Sequence, residues 1–172
     1  IDALDLSVNR ILSLDNNINY RNAMHHSKVK PTWVTPHPNG KKLYIAGNGS
    51  DEILVVDLES FSVESKLSTG KGPYNLAVSP NGKILLATLK SEGAVSIWSL
   101  KNNKLLKKIK NTTNIPHGVV ISPDNKYAFV SVEGVGGEPG KVDVINLETL
   151  SLQGSINVGK QAGGIAFWKI EQ

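Results

Sequence analysis

Two prolines seven residues apart recur three times along this chain of 172 residues, as Pro31/Pro38, Pro73/Pro80 and Pro116/Pro123. The first members of these pairs are spaced 42 and 43 residues apart, and the flanking sequence repeats with them: "KPTWVTPHPNGKKLYIAG" (30–47), "GPYNLAVSPNGKILLATL" (72–89) and "IPHGVVISPDNKYAFVSV" (115–132). A fourth opening, "QAGGIAFW" (161–168), carries Ala162 in place of the proline, 46 residues further on. The second half of the unit also recurs, in "ILVVDLES" (53–60), "VSIWSLKN" (95–102) and "VDVINLET" (142–149), and "IDALDLSV" (1–8) matches it. A period of this size marks one supersecondary unit, too small to bury its own apolar face, that must stack on its copies. The chain therefore begins late in one unit, runs through three, and ends early in another.

Each unit reads as four short strands. In the first, "TWVTP" is strand A, "KLYIAG" strand B, "EILVVDL" strand C and "FSVESKL" strand D. Period-two alternation and β-branched residues support each assignment, and no stretch has a long helical period. "Pro-Asn-Gly" at 38–40 and 80–82 and "Pro-Asp-Asn" at 123–125 are A–B turns. Proline presets φ there, and Gly or Asn accepts a positive one. Helix-free, turn-punctuated units of four strands and about 42 residues are blades of a β-propeller. The expected fold is all-β, with about three full four-stranded antiparallel blades and a partial blade at each end. The divisions fall at 1–14 (end of a blade), 15–30 (inserted loop), 31–70, 71–112 and 113–159 (blades), and 160–172 (first strand of a closing blade).

"VSPNGKILLAT", "VISPDNKYAFVSV" and "EILVVDLES" resemble the YVTN-type β-propeller repeat, over nearly all of residues 28–168. The naming tetrapeptide is degenerate here, as "YIAG", "LATL" and "FVSV". The resemblance implies a bacterial or archaeal exported protein, periplasmic or at the cell surface. Similar propellers occur in redox enzymes and among lactonases. Such rings usually close with seven blades, whereas this chain holds strands for nearly four. The expectation is the C-terminal portion of a longer ring, completed covalently or by a second chain or copy, because an open arc would expose two apolar blade faces.

Zero cysteines exclude disulfides, thiolate metal sites and cysteine nucleophiles. No apolar run is long enough to span a bilayer as a helix. The net charge of +4 is mild, and "KNNKLLKKIK" (101–110) concentrates lysine without interleaved aromatics. It reads as a lysine-protected edge strand, and no nucleic-acid partner is expected.

Chain geometry then places the irregular features. In a blade, the D–A and B–C connections emerge on one face and the A–B and C–D turns on the other. The two insertions, "NNINYRNAMHHSKVK" (16–30) and "VEGVGGEPGK" (132–141), are a D–A and a B–C connection, so both fall on one face. Inserted loops on a rigid scaffold carry function. The candidate ligand-binding residues are Tyr20, Arg21, His25, His26, Tyr74, His117, Glu133 and Glu138; Tyr74 and His117 follow the opening prolines at the channel mouth. Imidazole could bind a transition metal through His25, His26 and His117. Adjacent histidines point apart on an extended chain and the ligand spacings of known sites are missing, so no cofactor is predicted. His37, beside the opposite-face turn, reads as structural, and Trp33, Trp98 and Trp168 as inter-blade packing. The leading functional expectation is a non-enzymatic module that binds a protein, peptide or glycan on the loop-bearing face. The alternatives are a redox or hydrolytic subunit with a metal or cofactor near the channel mouth, and a structural cell-surface repeat.

Overall fold

The computed structural model describes residues 8, 10–14 and 27–169. Twelve strands fill 31–157, and no helix occurs among the described residues, so none is long and apolar enough to cross a membrane. The strands form three four-stranded antiparallel sheets in sequential order. Blade 1 is β1 (Pro31–Pro36), β2 (Lys42–Gly47), β3 (Glu52–Asp57) and β4 (Ser62–Ser68). Blade 2 is β5 (Pro73–Val78), β6 (Ile84–Leu89), β7 (Ala94–Ser99) and β8 (Lys104–Lys110). Blade 3 is β9 (Ile115–Ile121), β10 (Tyr127–Glu133), β11 (Lys141–Asn146) and β12 (Ser151–Asn157). The chain is a partial β-propeller.

The strand period of two sends alternate residues to opposite faces, and each face meets a neighbouring blade. Tyr44, Ala46, Ile53, Val55 and Leu67 of blade 1 pack on Leu76, Leu85, Ala87 and Trp98 of blade 2. The other face of blade 2, with Leu86, Val95, Ile97 and Ile109, packs on Val119, Ala128, Val130, Ile145 and Leu147 of blade 3. Trp98 is buried as expected, whereas Trp33 and Trp168 stand exposed on surfaces that no further blade covers.

The A–B turns behave as their sequence dictates: Gly40, Gly82 and Asn125 have φ of 71°, 69° and 63°. Gly82 is constrained a second way, since a Cβ there would come within 2.7 Å of the His37 ring. The His37 Nε2 lies 3.1 Å from the Gly82 carbonyl oxygen, which joins the turns of blades 1 and 2. His37 is thus a structural link between A–B turns, at the opposite end of the strands from the 134–140 loop.

A hydroxyl strut ties each blade to the next. Thr32 Oγ1 donates to Tyr74 O at 2.8 Å, Thr88 Oγ1 to His117 O at 2.9 Å, and Ser131 Oγ to Gly163 O. Tyr74, His117 and Gly163 occupy the same position of successive units, second in strand A. Residues 162–169 therefore sit where strand A of a fourth blade would lie, with Phe167 against Phe129 at 6.3 Å between ring centroids. They carry no strand assignment. The physical reason is that a strand is defined by its ladder partner, and among the described residues no strand pairs with this segment.

Beyond this segment, the forward face of blade 3 is uncovered among the described residues. Ile156 is 61% exposed, whereas its repeat equivalents Leu67 and Ile109 are 6% and 8% exposed. On blade 1, the face turned away from blade 2 holds a cleft of about 550 Å³ lined by Leu14, Val34, Ile45 and Trp33. Arg10 lies over the ring of Phe61, between β3 and β4.

Candidate functional site

Three of the candidate residues meet at the channel mouth. Tyr74 and His117 each follow the opening proline of an innermost strand, β5 and β9, so adjacent blades bring them edge to face with centroids 4.6 Å apart. Glu133 ends β10 and turns its Oε1 toward His117 Nε2, at 3.4 Å. The same oxygen lies 3.3 Å from Lys90 Nζ, and that ammonium sits 4.6 Å from the centre of the Tyr74 ring. Thr113 Oγ1 donates to the Glu133 carbonyl oxygen at 2.7 Å and fixes the end of the strand.

Lys90 is the residue that sequence reasoning missed. It occupies the unit position of Glu133, the first residue after the core of strand B, and that equivalence was the available signal. A lysine and a glutamate at equivalent places in neighbouring blades are set one unit apart around the ring, close enough to pair.

Glu138 does not join the cluster. It stands exposed in the 134–140 loop, where its backbone N–H donates to Val135 O at 3.3 Å and closes a turn. The chain folds back on itself at Gly134, where the backbone of Glu138 and Pro139 comes so close that a Cβ would not fit, and Glu138 stays exposed. Tyr20, Arg21, His25 and His26 lie outside the described residues. Of the three candidate metal ligands only His117 is described, and no group of three or more His, Asp or Glu side chains with metal-binding geometry occurs among the described residues.

The electrostatics of the cluster follow from its geometry. Burial pushes the His117 imidazole below its usual 6.5, and the Lys90 ammonium pushes it further down, while Glu133 acts in the opposite direction. Of the two ring nitrogens, Nε2 is the one turned toward the carboxylate. Lys90 and Glu133 neutralise one another, so the mouth offers hydrogen-bond donors and acceptors beside an aromatic ring, with no net charge. NMR titration of His117 is expected to give a midpoint below 6.5, moved up by Lys90→Ala and down by Glu133→Gln. The linkage sign is fixed: the unfolded chain binds this proton more readily. The contribution is present above the unfolded-state value and is lost as pH falls through the folded-state one.

Comparison with known proteins gives the family. Residues 14–136 match the model of the family described as "Lactonase, 7-bladed beta-propeller". The chain belongs to this family. Among solved structures, this lactonase-family propeller resembles the hydrazine synthase of Kuenenia stuttgartiensis, with 26% identity, a TM-score of 0.72, and coverage of 82% of this chain and 40% of that one. It also shares its fold with the RRP9 WD40 repeats, at 14% identity and a TM-score of 0.66, covering 77% of this chain and 40% of that one. A curated relative is the TSET complex member tstE of Dictyostelium discoideum, 30% identical over 105 residues. That match takes in 55% of this chain and 8% of the relative, so the chain spans a small part of the relative's length.

Proposed function

We propose that this propeller is an interaction module, of YVTN type and exported to the periplasm or cell surface, that captures a protein, peptide or glycan on the face bearing the 134–140 loop. The observation that carries the reading is the half-buried, charge-compensated cluster of Tyr74, Lys90, His117 and Glu133, the last of which leads directly into that loop. An aromatic face with polar groups around it suits an amide or a sugar hydroxyl, because stacking and hydrogen bonding act together without a net charge to neutralise. A propeller scaffold, which presents loops on a rigid ring, agrees with this role. Further blades, from the same or another polypeptide, would complete the ring on the forward face of blade 3.

A second reading rests on one specific feature, the imidazole of His117 beside the Glu133 carboxylate. If Glu133 holds the His117 proton on Nε2, Nδ1 is the atom that would accept a proton from water attacking an ester carbonyl, the reaction the family's name suggests. A single experiment separates the two. The purified chain is screened against a glycan array and an immobilised peptide library, and in parallel for hydrolysis of γ- and δ-lactones. The binding reading expects retention of a peptide or glycan, weakened about tenfold or more, some 1.4 kcal/mol, by His117→Ala or by Tyr74→Ala. Turnover abolished by both His117→Ala and Glu133→Gln, with no retained ligand, would replace it with the hydrolytic reading.

A further inference from the structure

A second surface stands apart from the channel mouth, on the rim of blade 2. From Gly93 to Pro123 the chain contains five lysines and no carboxylate. Two of these lysines are occupied: Lys108 pairs with Glu92 at 2.7 Å, and Lys110 donates to the Glu92 carbonyl oxygen. Lys101, Lys104 and Lys107 are exposed and enter none of the ion pairs among the described residues, and neither does Lys83 on the neighbouring turn. Register brings these groups together: Ile84 pairs with Ser99 and Ser99 with Lys104, while Leu100 N donates to Lys83 O.

Between them lies a cleft of about 570 Å³ whose walls include Ile84, Leu100, Leu106, Lys83 and Lys101. The equivalent cleft of blade 1, about 290 Å³, carries Asp57 and Glu59 where blade 2 has Ser99 and Lys101. Blade 3 has Asn146 and Glu148 at the same places. Blade 2 alone of the three reverses the charge at the second position and leaves an aliphatic opening beside it.

We propose that this rim of blade 2 docks an acidic, extended segment of a partner protein, with one apolar side chain seated in the cleft and its carboxylates on Lys83, Lys101, Lys104 and Lys107. Three features fix the class of partner. β8 is the outer strand of its sheet, so its free backbone groups can accept an added strand. The four unpaired ammonium groups demand negative charge. The cleft walls are aliphatic, with none of the aromatic platforms on which nucleic-acid bases stack. Edge protection alone would need lysines on β8 only, not Lys83 and Lys101 around an open apolar cleft.

The probe is a fluorescein-labelled ten-residue peptide of alternating Glu and Leu, titrated with the whole chain and read by fluorescence anisotropy. Binding is expected to weaken several-fold between 50 and 300 mM salt. Lys101→Glu with Lys104→Glu should lower affinity at least tenfold; the first change installs the residue that blades 1 and 3 carry, so the fold accepts it. Leu106→Ser should lower affinity while leaving the salt dependence in place. The proposal is overturned if the peptide does not bind, or if an alternating Glu/Ser peptide binds equally well. It is also overturned if the double variant binds unchanged, or if a single-stranded oligonucleotide of the same charge competes on equal terms.

Discussion

Ile97→Ala is expected to cost about 3 kcal/mol of stability, while Val144→Ala at the equivalent place one blade later should cost only about 1. Ile97 is fully buried between blades 2 and 3, where removing three carbons loses transfer free energy and leaves a cavity that rigid sheets cannot close. Val144 points to the uncovered face of blade 3, is only half-buried, and its truncation leaves a dent open to water. Ile97→Val supplies the control, since blades 1 and 3 carry valine there, and about 1 kcal/mol is expected. Urea denaturation of the three variants at two protein concentrations provides the measurement. If Val144→Ala costs as much as Ile97→Ala, the forward face is covered in solution. A cost that also rises with concentration would identify the cover as a second copy.

The repeat made most of this architecture readable from the chain. Three copies of one pattern gave away the strand order and the A–B turns, because each inference could be checked against its copies. The C–D turns were not readable. Phe61, Asn103 and Leu150 take φ of 53°, 55° and 51° at one recurring position, and only Asn103 has a residue type that announces it. Phe61 and Leu150 adopt the left-handed region because the flanking strands impose it, a tertiary effect that local propensity does not record. At the site, Tyr74 and His117 stood out by their place after the opening prolines and Glu133 by its place in the inserted loop, whereas Lys90 was hidden among many surface lysines until the structure set it over an aromatic ring. Glu138 shows the limit of the reasoning: a loop's position is set by its strands, but where its side chains point depends on how the glycines turn.

Asp143→Ala is the second large effect, expected at about 3 kcal/mol. Asp143 lies on β11, fully buried, and three donors converge on its carboxylate. Oδ2 accepts from Asn111 Nδ2 at 3.0 Å and from Thr112 N at 2.9 Å, and Oδ1 from Thr112 Oγ1 at 2.6 Å. All three donors belong to the connection that leaves blade 2, so this one side chain holds the entry to blade 3. Alanine leaves the buried Asn111 amide without an acceptor, which is the costly side of the hydrogen-bond asymmetry, and releases the exposed Thr112 to water. Asp143→Asn separates charge from geometry. Its oxygen can take the Oδ2 place and serve the Asn111 amide and the Thr112 N–H. Its NH₂ then faces Thr112 Oγ1, a hydroxyl that can accept as readily as it donates. The asparagine variant should therefore lose only about 1 kcal/mol and keep the Thr112 amide protected from hydrogen exchange, while the alanine variant exposes it. If asparagine proves as damaging as alanine, the negative charge rather than the acceptor geometry holds the two blades together.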